Sequence, residues 1–77
     1  MQEKIFEILK SIRSDIDFRS ETALVDNGLL DSFDLVSIVS DLNDEFDVRI
    51  RVEDLQPENF NSLDSIGALI AHLQDED

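Results

Sequence analysis

Apolar residues at Ile5, Ile8, Leu9, Ile12 and Ile16 recur with the spacing of one helix face, which predicts a first helix over about residues 2–14. Residues 15–31 show no period. They carry their own apolar anchors, Phe18, Leu24, Val25, Leu29 and Leu30, so the long loop is expected to lie across helix ends. A second helix is predicted over about 32–46, opened by Asp31 or Ser32 as N-cap, with Asp34 as an acid in its first turn. Leu35, Ile38, Val39, Leu42 and Phe46 form its apolar stripe. Asp34, Ser37, Asp41, Asp44 and Glu45 form its wet side, and Phe33, Val36 and Ser40 lie along one edge. From Asp47 to Val52 the chain alternates like a β-strand, but no other segment offers it a partner. It is expected to be an extended connector that tucks in Val48, Ile50 and, at its end, Val52. A short helical turn over about 53–60, with Pro57 at its first position, precedes a last helix over about 62–74 capped by Ser62. The buried face of that helix would be Leu63, Ile66, Leu69, Ile70 and Leu73, with Gly67 allowing a close helix contact and the acidic end Asp75-Glu76-Asp77 fraying. The predicted fold class is all-α, a small bundle of three to four helices forming one domain over residues 1–77.

Composition narrows the function classes. There are no cysteines among the 77 residues, which removes disulfide frameworks and cysteine-based zinc sites. The N-terminus lacks a signal peptide's charged flank and apolar run, and nothing approaches the ~20 apolar residues of a membrane helix, so a soluble, cytoplasmic chain is expected. The net charge of −13 is unevenly spread. Residues 1–20 hold four acids and four bases, whereas residues 21–77 hold fifteen acids against Arg49 and Arg51. Such a field disfavours nucleic acid and anionic membranes and favours a basic protein partner, although acids also simply keep a small domain in solution.

Catalytic chemistry has little to work with. His72 is the single histidine, forty residues beyond Ser32 and near the end of the last helix, where the helix dipole favours it. Without a second histidine, a cysteine or a glycine-rich phosphate loop, triads and P-loops are excluded, and the acids do not follow the calcium-loop pattern. The chain is not expected to be an enzyme. Ser32 has a different potential. A hydroxyl at a helix start sits among unpaired N–H groups and the positive end of the dipole, which suits a phosphate ester. The plainer alternative is a capping role worth ~0.5–2 kcal/mol.

The run Asp26-Asn27-Gly28-Leu29-Leu30-Asp31-Ser32-Phe33-Asp34, followed by Leu42-x-x-x-Phe46, resembles the attachment loop and second helix of acyl and peptidyl carrier proteins. Phe46-Asp47-Val48, Pro57-Glu58-Asn59-Phe60 and Ser62-x-x-Ser65-Ile66 extend the resemblance over most of residues 5–73. It implies an acyl-carrier-type bundle with 4′-phosphopantetheine attached to Ser32. It also implies that Asp31 helps hold magnesium in the complex with a phosphopantetheinyl transferase, and that the chain has no resident metal. Phe33, Asp34, Val36, Ser37, Ser40 and Asp41 would face a partner with a basic docking surface, and the carrier would act as a monomer. Gly28 lies four residues before Ser32, an interval that resembles free-standing D-alanyl carriers loaded by an adenylating ligase. Phe33 stands where those carriers commonly have methionine, and Ser37 where fatty-acid carriers usually have glutamate. A fatty-acid or polyketide acyl carrier, loaded by an acyltransferase, and an unmodified acidic adaptor that binds a basic partner therefore remain as alternatives.

Overall fold

The computed structural model describes residues 2–75, so Glu76 and Asp77 of the expected fraying end lie outside the described residues. The described chain is all-helical, with α1 (Gln2–Ile12), α2 (Ser32–Phe46), α3 (Pro57–Phe60) and α4 (Leu63–Gln74), and a 3-10 turn at Val52–Asp54. Helix α1 packs against both α2 and α4, and α3 packs on α4. The core is built from the predicted stripes: Ile5 and Leu9 of α1, Ile38 and Leu42 of α2, and Leu63, Ile66, Leu69 and Ile70 of α4 are buried. Leu73 packs at the margin of that core.

Helix α1 stops at Ile12, two residues before the end that its periodicity predicts. Arg13 donates its N–H to the Leu9 carbonyl (2.9 Å), which satisfies one acceptor that the helix end leaves orphaned, and Lys10 donates to the Ser14 carbonyl just beyond it (2.9 Å). The loop that follows is ordered by burial of Ile16, Phe18, Leu24 and Leu30. Asn61, between α3 and α4, pins its middle. The Asn61 side-chain oxygen accepts from the Val25 and Asp26 amides at 2.9 and 3.0 Å, and its backbone carbonyl accepts from Leu24 at 2.9 Å. Arg19 closes the loop onto α1, with its guanidinium 4.0 Å from the Phe6 ring centroid and 2.8 Å from Glu3.

The connector after α2 corrects one expectation. Ile50 is buried and Val48 packs against the core, but Val52 is 85% exposed. A strand would have returned Val52 to the side of Ile50. Instead the backbone coils into the 3-10 turn, where Arg51 accepts from the Asp54 amide (2.9 Å) and donates to the Asp54 carboxylate (3.0 Å). The expected helical turn over about 53–60 is thus two separate pieces, with Pro57 in the first turn of α3. Gly67 is buried beneath the start of α1, yet an added Cβ would sit 3.7 Å from Gln2 Cγ, an ordinary contact. The close approach therefore does not demand glycine.

Candidate functional site

The attachment-like segment is shaped by a tight turn. Gly28 adopts φ +73°, a conformation that side-chain-bearing residues rarely take, and its amide donates to the Val25 carbonyl (3.0 Å). Leu29 and Leu30 both donate to the Leu24 carbonyl (2.9 and 3.2 Å), while Leu30 is buried and Leu29 packs at the core margin. This apolar anchoring delivers Asp31, with extended backbone, to the cap position of α2. The Asp34 amide donates to Asp31 Oδ1 (2.9 Å) and the Asp31 amide donates to Asp34 Oδ2 (3.2 Å), a reciprocal capping box.

Ser32 is the first residue of α2. It is exposed, and its hydroxyl makes no hydrogen bond to any described residue. The α2 cap bonds run to the amides of Asp34 and Leu35, so the first two N–H groups of the helix are left for an incoming anion. One side of α2 opens, from Ser32, into a groove of about 490 Å³. Leu35, Val36, Val39 and, across from the helix, Leu55 form its apolar walls, with Ser40 and Asn43 as polar members. On the other side lies a polar cleft of about 400 Å³ that includes Arg13, Asp15, Asp17, Glu21, Gly28 and Asp31.

Arg13 is the centre of that polar side. Nη1 donates to Asp34 Oδ2 (2.7 Å) and to the Leu29 carbonyl (3.1 Å), while Nε and Nη2 clasp the two oxygens of Asp15, each at 3.0 Å. The hydrogen bonds to Asp15 and then Asp34 raise the guanidinium pKa further above its ordinary value. The hydrogen bond from Arg13 in turn holds the Asp15 carboxyl below the usual carboxylate value.

Of the residues expected to face a partner, Phe33 (86% exposed), Val36 (68%), Ser37, Ser40 and Asp41 are all on the surface. Asp34 departs from the set. Its side chain is 13% exposed and committed to Arg13 and the capping box, so its charge is spent inside the fold. His72, in the last turn of α4, shares a depression with Asp54 and Glu58 and none of the clefts beside Ser32. Sequence reasoning missed Arg13 and Leu55. Neither has a local signal, since Arg13 reaches Asp34 across 21 positions and Leu55 becomes a wall only when the connector folds back.

A serine free at a helix start, beside an apolar groove and behind an acid-capped turn, suits a phosphate-linked arm. The sequence pattern of the family described as "Phosphopantetheine attachment site" matches residues 3–73. The chain belongs to that family. It is a phosphopantetheine carrier, a class that bears 4′-phosphopantetheine covalently on a serine, and the match favours this reading over an unmodified adaptor. Carriers of this kind work with a phosphopantetheinyl transferase and with ligases or acyltransferases. The chain is 27% identical over 78 residues to the D-alanyl carrier protein of Lactococcus lactis subsp. lactis (strain IL1403), covering 99% of each chain. It is 28% identical over 78 residues to the D-alanyl carrier protein of Lactococcus lactis subsp. cremoris (strain MG1363), again over 99% of each. Among the described residues there is no helix long and apolar enough to cross a membrane and no cluster of three or more metal-binding side chains.

Proposed function

We propose that Ser32 is the serine that carries the arm, and that the cargo is D-alanine or a similar small amino acid, loaded by a separate adenylating ligase. The observation that carries the attachment reading is the exposed Ser32 hydroxyl at the first residue of α2, beside the Asp31 cap. Asp31 keeps one carboxylate oxygen outside the capping box, available to a magnesium ion shared with the transferase. When bound, the arm supplies a terminal thiol that holds the cargo as a thioester. The chain itself contributes exposure, a fixed helix start and a docking surface, and performs no catalysis of its own. The cargo reading rests on the two D-alanyl carrier relatives and on the Gly28-Leu29-Leu30-Asp31-Ser32 interval.

In this reading the monomeric carrier meets its enzymes in the cytoplasm. Phe33 and Val36 supply the apolar contact, and Asp41 faces a basic residue of the partner. The aromatic anchor contributes most of the affinity and the acid mainly the association rate. A second cargo is favoured by one specific observation. The apolar groove that opens at Ser32 offers a longer acyl chain shelter from water that D-alanine does not need. The two are separated by the intact mass of carrier isolated from its own cells under acid quench, which preserves thioesters. An alanyl increment on the arm is the expected result, and a fatty or polyketide acyl increment alone would overturn the aminoacyl reading.

A further inference from the structure

Among the described residues, one polar side chain from outside the segment holds the helix start that presents Ser32. Arg13, just past the end of α1, reaches both flanks of the attachment residue: the Leu29 carbonyl before it and the Asp34 carboxylate after it. The Asp34 oxygen that Arg13 holds at 2.7 Å is the same oxygen that accepts the Asp31 amide at 3.2 Å. That second bond is long, so the carboxylate's position depends mainly on the guanidinium. Among the described residues, Arg13 is also the only cation lining a cleft that contains Asp15, Asp17, Glu21 and Asp31. Without it, the acids would repel one another, and Asp34, largely buried, would turn toward water and release the Asp31 amide.

We propose that Arg13 is a positioning residue for arm attachment: acting through Asp34 and Leu29, it fixes the backbone of Asp31 and Ser32 so that the hydroxyl and the Asp31 carboxylate face the transferase together. The proposal rests on Ser32 being the attachment residue. In the reaction the Ser32 Oγ bonds to the β-phosphorus of coenzyme A, and the pyrophosphate P–O bond breaks. Adenosine 3′,5′-bisphosphate leaves with the electron pair, and the hydroxyl proton passes to a base of the transferase. A displaced Oγ lowers the turnover of that step even when the carrier is folded and bound, because small misplacements of reacting atoms are costly.

The test times the mass gain of the full chain with coenzyme A, magnesium and a broad-specificity transferase, over a range of carrier concentrations, at a temperature where circular dichroism shows every variant folded. Arg13→Gln should lower kcat about tenfold with a smaller change in KM. Arg13→Lys, which keeps a cation within reach of Asp34, should recover part of the loss. Lys4→Gln, which removes an exposed charge from α1, should change neither constant. A folded Arg13→Gln with wild-type kcat overturns the proposal, and so does a change confined to KM, which would mark a general charge effect. Should Arg13→Gln not fold, Asp34→Asn breaks the same ion pair from the other side, and the same two outcomes decide. A wild-type chain that gains no mass overturns the Ser32 reading, and this proposal with it.

Discussion

At its first turn α2 has acids where the helix dipole favours them: Asp31 caps the helix, Asp34 completes the capping box, and Arg13 neutralises Asp34 from behind. At its last turn the same helix has Asp44, Glu45 and then Asp47, and no base. Asp47 also takes a left-handed conformation at φ 53°, unfavourable for a residue with a side chain. That end is closed instead through Asn43. Its carbonyl accepts the Val48 amide at 3.3 Å and its side-chain oxygen accepts the Ile50 amide at 2.9 Å. One residue type therefore plays opposite parts on one helix. Acids at the start build the fold and hold Ser32, whereas acids at the far end work against the helix and leave their charge to solvent or to a partner.

Removing the cap should have the largest effect. Asp31→Ala is expected to cost ~1 kcal/mol, within a range of about 0.5–2, and to lower the melting temperature by several degrees in a thermal scan. No loss would mean that Arg13 and Leu30 suffice to start the helix, and the contrast between the two ends would narrow. At the other end the sign reverses. Asp47→Gly relieves the left-handed strain and removes a charge from the negative end of the dipole, so denaturant unfolding should show a gain of up to ~1 kcal/mol. A destabilised Asp47→Gly would show that the Asp47 side chain contributes an interaction of its own, and the far end would no longer count as compromised.

The smallest expected effect is a pH dependence at the Arg13 clamp. Asp15 is held below its ordinary pKa by Arg13, so the unfolded chain binds its proton first as pH falls. The pair's contribution is fully present above the ordinary carboxylate range and is lost as pH drops through the lowered folded value. The stability difference between wild type and Asp15→Asn should accordingly be flat above about pH 5 and shrink in acid. Because Asp15 is exposed and Arg13 only half-buried, the difference should be small and should weaken with salt. A difference that grows in acid would contradict the assigned direction.

Much of the start of α2 was legible because its signals are local. A glycine, two leucines and an acid three residues before another acid specify turn, anchor and cap within seven positions, Gly28 to Asp34. The stripes of α1, α2 and α4 were legible for the same reason, since helical periodicity is a property of neighbours along the chain. What failed was long-range or cooperative. Asp34 read as solvated until Arg13 reached it from the end of another helix. Val52 read as inward because alternation implies a strand, yet a chain without a second strand satisfied its backbone in a 3-10 turn and turned Val52 out. The groove wall at Leu55 needs α2 and the connector together, so neither segment announces it alone.

If Ser32 alone among the chain's several serines takes the arm, a mass measurement shows it. Intact mass spectrometry after incubation with coenzyme A, magnesium and a phosphopantetheinyl transferase tests it most directly, with wild type and Ser32→Ala run side by side and each shown folded by circular dichroism. The expected result is a single phosphopantetheine on the wild type, mapping to the peptide that contains Ser32, and no mass gain on Ser32→Ala. An equal mass gain on Ser32→Ala would place the arm elsewhere and overturn the assignment of Ser32.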